Sequence, residues 1–125
     1  MPRLSYTAVC TALGIALGWL PSLIHGPMPE KWSVYGIHGA TLVIGYHVAR
    51  MSIGLWVGLT ARPEPWWLRG PLCGALAMFP LGFVVLANPL CGATCMAWNT
   101  TTGAAVGFMV GALAWSITGK HHAAA

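Results

Sequence analysis

Charge is what this chain lacks, and its absence falls in four long blocks. Residues 4–24, 34–60, 67–87 and 102–118 are almost wholly apolar, while Pro and Gly clusters and most of the few charged residues, Arg50 and Arg69 excepted, lie outside them. A soluble domain needs a charged exterior, yet only 6% of residues are charged against 57% hydrophobic, and the mean hydropathy is +0.70. Each block has roughly the length needed to cross ~30 Å of hydrocarbon at about 1.5 Å per residue. The pattern predicts an all-α fold: residues 1–125 form a single transmembrane domain, a polytopic bundle of about four helices.

The same poverty of charge excludes functions. There is no Asp, and Glu30 and Glu64 are the only acidic side chains, so paired-carboxylate catalysis and oxygen-rich metal cages are out of reach within one chain. No nucleophile–base pair or phosphate loop is present, and the chain reads as non-catalytic. The net charge of +4 is scattered, with no basic stripe to bind nucleic acid. The first block follows Arg3 but is too long for a secretory leader, and no small-x-small cleavage site follows it.

Orientation comes from the excess of Lys and Arg in cytoplasmic loops. With four crossings, Arg3, Arg62, Arg69 and Lys120 share one side and Lys31 alone lies on the other. Tyr6, Trp66, Trp67 and Trp115 fall at that inner boundary, and Trp32, Tyr35 and Trp98 at the outer one. Both patterns place the amino and carboxyl termini in the cytoplasm, as for a bacterial inner-membrane protein.

Helices in lipid associate by close packing, which small residues four apart permit. Gly103, Gly107 and Gly111 form such a stripe in the fourth block; Gly14 and Gly18, Gly54 and Gly58, and Gly70 and Gly74 repeat the pair in the others. The stripe suits either an interface with another subunit or packing inside one bundle. Pro21 and Pro80 each remove a donor, which frees the carbonyls of Leu17 and Leu76.

The second block holds a polar cluster near the bilayer midplane. At 100° per residue, Tyr46, His47, Arg50, Gly54 and Gly58 share one face with Gly39, and Leu42, Ala49, Ile53, Leu55 and Trp56 lie opposite, toward lipid or an apolar neighbour. Arg50 lies about 15 Å deep, too far to reach the interface easily. A charge there costs about 3 kcal/mol on insertion scales. No acid of this chain falls in a block, so the partner must be freed carbonyls, the Asn88 side chain, water, an anion or an acid of another polypeptide.

Three further features lie toward the outer side. His25 and His38 fall at similar depth on neighbouring helices, where they suit axial haem ligation or a metal, or serve as polar anchors. The uncharged loop from Asn88 to Trp98 carries Cys91 and Cys95, which suit a disulfide if the loop is not helical, or a soft metal site with Met96. Asn99-Thr100-Thr101 matches a glycosylation sequon. The tail at His121-His122 carries no expected role.

Three functions follow as expectations. The first is a non-catalytic subunit of a larger or oligomeric membrane assembly, docked to other subunits or to copies of itself through its glycine faces and Arg50. The second is a small oligomeric channel or transporter for an anion or proton, lined by Arg50, His47 and Tyr46. The third is a haem-binding electron-transfer subunit using His25 and His38.

Overall fold

A computed structural model describes residues 5–20, 39–86 and 92–122. Among them the chain is all-helical, with four helices and no strand: α1 (Tyr6–Leu17), α2 (Gly39–Leu59), α3 (Trp66–Leu86) and α4 (Gly92–Thr118). Within those residues α2 and α3 follow the apolar blocks closely. The fourth helix does not: it begins at Gly92 rather than near Thr102, so most of the expected outer loop is helical. Its polar residues fit a helix because they bond locally, Thr101 Oγ1 to the Ala97 carbonyl at 2.7 Å and Thr102 Oγ1 to that of Asn99 at 2.9 Å. The helix ends at Gly119, whose positive φ of 69° and N–H bond to Trp115 O at 2.7 Å form a left-handed cap.

The helices pack as two antiparallel pairs. In the first, α1 lies on α2 so closely that a Cβ on Gly14 would stand 2.6 Å from Gly54 Cα, and one on Gly58 2.9 Å from Thr7 Cα. Thr7 adds a bond from Oγ1 to the Gly58 carbonyl at 3.0 Å. In the second, Gly70 meets Gly107 and Gly74 meets Gly103, backbone on backbone, and Gly111 faces Trp66. This α3–α4 contact is the most extensive in the molecule. Without side chains between them the backbones gain dispersion and Cα–H···O contacts along the whole seam. The core between the pairs is apolar, with Cys10, Ile53, Val57, Met78, Val110 and Ala114 fully buried.

The exterior is apolar as well. Ile44, Val48, Leu59, Leu76, Phe83 and Ile117 are each more than half exposed. Ile53, expected on the outer face of α2, is instead buried, because α2 is flanked by neighbours on more than one side. Among the described residues one helix, α4, is long and apolar enough to cross a membrane; α1 is apolar but shorter.

Candidate functional site

Two arginines among the described residues, on different helices, are buried. Arg50 was expected at depth; Arg69 was expected at a wet boundary, among the cations that set orientation. The structure buries Arg69 completely. Its fork lies where four segments meet at one end of the bundle. Nη1 donates to the carbonyls of Pro63 at 3.2 Å and Glu64 at 2.7 Å, in the α2–α3 connection. Nη2 donates to the Tyr6 hydroxyl at 2.7 Å and to the His121 carbonyl. The Tyr6 ring lies 5.7 Å from the guanidinium carbon.

That geometry explains the residues around it. The carbonyls of Pro63, Glu64 and His121 lie outside the helices and their hydrogen-bond ladders, and a planar guanidinium can satisfy several at once where an ammonium would serve as a point. Tyr6 is therefore buried and bonded rather than lying in an interfacial belt. The tail, expected to do nothing, supplies one of the four acceptors, and the His121 ring lies 6.2 Å from Trp115. Trp115 in turn stacks on Trp66 at 5.8 Å. The visible signal in the sequence was an Arg four residues after Pro65 at the start of an apolar block. Nothing local distinguished it from Arg62, whose side chain is 85% exposed.

Arg50 differs in kind. The polar face of α2 turns inward, so that Tyr46, His47 and Arg50 are all buried, with Arg50 only 5% exposed. Tyr46 is its electrostatic neighbour one turn earlier. The Tyr46 hydroxyl reaches the Leu81 carbonyl at 3.5 Å, next to Pro80 but not at the carbonyl that Pro80 frees. His47 meets Trp19 edge-on at 4.5 Å between ring centroids. Among the described residues Arg50 makes neither an ion pair nor a hydrogen bond, and its Nε is buried without a partner. Asn88, one partner considered for it, lies outside the described residues.

The remaining expected sites separate cleanly. Gly14, Gly18, Gly54, Gly58, Gly103, Gly107 and Gly111 all face neighbouring helices of the same chain. His25 and His38 lie outside the described residues, as does Cys91. Cys95 is disulfide-bonded, which removes the thiolate that a soft metal would require; Cys10 and Cys73 are free. Asn99 of the sequon is 5% exposed and donates Nδ2 to the Met78 carbonyl at 3.1 Å, so no glycan can be attached to it in this fold. No cluster of three metal-ligating side chains occurs among the described residues. Comparison with protein-family models, with characterised proteins and with solved structures finds no match.

Proposed function

We propose that this chain is a polytopic membrane protein, its helices crossing the bilayer with both termini in the cytoplasm, and that it is non-catalytic and handles a small anion at Arg50. The observation that carries the reading is the distribution of polarity: Arg50, Arg69, His47 and Asn99 are inside, while large apolar side chains on all four helices are outside. Water would oppose that arrangement on both counts, since it hydrates charge and expels apolar surface. Lipid favours it on both counts.

The end at which Arg69 joins Tyr6, the α2–α3 connection and His121 also carries Arg62 and Lys120, in keeping with a cytoplasmic face. The choice of an anion rests on electroneutrality. Arg stays charged, and of the two carboxylates one, Glu64, lies beside Arg62 in the α2–α3 connection, well over one helical turn from Arg50. A buried cation with the Tyr46 and His47 side chains beside it suits a small monovalent anion.

The glycine faces and Arg50 are turned toward other helices of this chain, which favours the apolar exterior as the surface for any other subunit. Two experiments test the proposal in turn. The protein should stay with the membrane in alkaline carbonate, and release into the aqueous phase would end the membrane reading. In liposomes the wild type should pass chloride or nitrate down a gradient while Arg50→Met, equally helical, passes none; equal flux from the two would end the anion reading.

A further inference from the structure

A pocket of about 440 Å³ opens on the outer surface between α2 and α3. Its α3 wall is Leu72, Cys73, Leu76 and Ala77, one face of the helix over consecutive turns. Its α2 wall is Trp56 and Thr60, again one turn apart, and Arg62 stands at one end. The polarity is therefore graded along its length: a cation and a hydroxyl at the α2–α3 connection, then hydrocarbon.

The dimensions have a physical match. Ala77 lies roughly 16 Å along α3 from its first residue at about 1.5 Å per residue. One leaflet of a bilayer has about 15 Å of hydrocarbon, half of ~30 Å. The deep end of the groove thus approaches the midplane, its α3 wall from Leu72 to Ala77 being about 8 Å long, and its volume falls at the lower end of the roughly 300–1,000 Å³ common for ligand sites. A single flexible chain fits that shape better than a rigid body does.

We propose that this groove binds one acyl chain of an anionic phospholipid of the cytoplasmic leaflet, with Arg62 at the head-group end. The inference rests on the membrane reading, and does not depend on what Arg50 does. Glu64 lies 3.9 Å from Arg62, but the two side chains are 85% and 63% exposed. Such a pair is weak and screened, so a phosphate with its chain already anchored displaces it. Arg69 cannot serve the head group, because its terminal nitrogens are committed to the bundle. Arg62 is thus the cation at the mouth that remains available.

Cys73, a free thiol in the groove wall, reports occupancy. The full chain with Cys10→Ala is reconstituted into vesicles of phosphatidylcholine alone or with phosphatidylglycerol, and insertion is checked by carbonate-resistant flotation. Maleimide labelling of Cys73 should slow by about fivefold with phosphatidylglycerol, the factor that one basic residue supplies at an anionic surface. Arg62→Gln should erase the difference, although the surface potential of the vesicle is unchanged. Equal rates in the two lipids, or a difference that survives Arg62→Gln, overturn the site. Protection by inorganic phosphate in phosphatidylcholine vesicles overturns the lipid as its occupant. Failure to float sinks the membrane reading instead, so the two failures are distinct.

Discussion

Arg69 and Arg50 are both buried, on adjacent helices of a chain with almost no acid, yet among the described residues Arg69 finds hydrogen-bond partners and Arg50 finds none. The Arg69 fork lies against the α2–α3 connection and the tail, whose carbonyls stand outside any helical ladder. Its guanidinium turns four loose segments into one closed end of the bundle without any counter-charge. Arg50 lies mid-helix, where neighbouring carbonyls are already taken by the i to i−4 ladder and only side chains can respond. Depth alone therefore says little about an arginine's role. The supply of free acceptors around it says more.

The contrast can be broken by substitution. Arg69→Met leaves buried acceptors unpaired at every segment it joins, and should cost about 3 kcal/mol or more of stability. Arg69→Lys should restore only part of this, because one ammonium cannot copy the fork. Reversible unfolding in mixed micelles measures both, and an unaffected Arg69→Met would reduce Arg69 to a surface cation.

Next in size is the α3–α4 seam, which fixes the helix that carries Arg69. Gly107→Val drives a side chain into the Gly70 backbone, and should cost about 2–3 kcal/mol because two backbones must separate. Thermal unfolding followed by circular dichroism measures it. An undiminished melting temperature would mean that the helices do not meet through these glycines.

Arg50→Met should act in the opposite sense to Arg69→Met. Removing a charge that has no hydrogen-bond partner among the described residues relieves its insertion cost, so the same unfolding assay should show stability raised by about 1–3 kcal/mol, while anion flux is lost. A loss of stability as large as that of Arg69→Met would make the two arginines alike, and both structural. The smallest effect belongs to Tyr46→Phe. Its bond to Leu81 is 3.5 Å long, and bonds between membrane helices average about 0.6 kcal/mol. Unfolding should barely change, whereas the anion selectivity of flux should shift if the hydroxyl shares the site with Arg50.

Much of the architecture could be read from the chain before any coordinates. The apolar blocks located α2 and α3, and the 100° projection put Tyr46, His47 and Arg50 on one face; the structure buries all three, together with Ile53 from the face opposite. The start of α4 was not legible, because Asn99, Thr101 and Thr102 look like loop residues until their bonds to helix carbonyls are seen. The role of Arg69 was not legible either. Its partners are Tyr6, Pro63, Glu64 and His121, three of them backbone oxygens, and backbone oxygens carry no mark in a sequence.

Local composition by itself determined the helical class, the rough extent of two helices and the sparse supply of counter-charge, since periodicity, hydropathy and residue counts act within a segment or are simply summed. Which glycine meets which, which arginine finds carbonyls, and where a groove is left open were decided only when distant segments came together. Those outcomes depend on helix register, and register is set by the packing of all the helices at once.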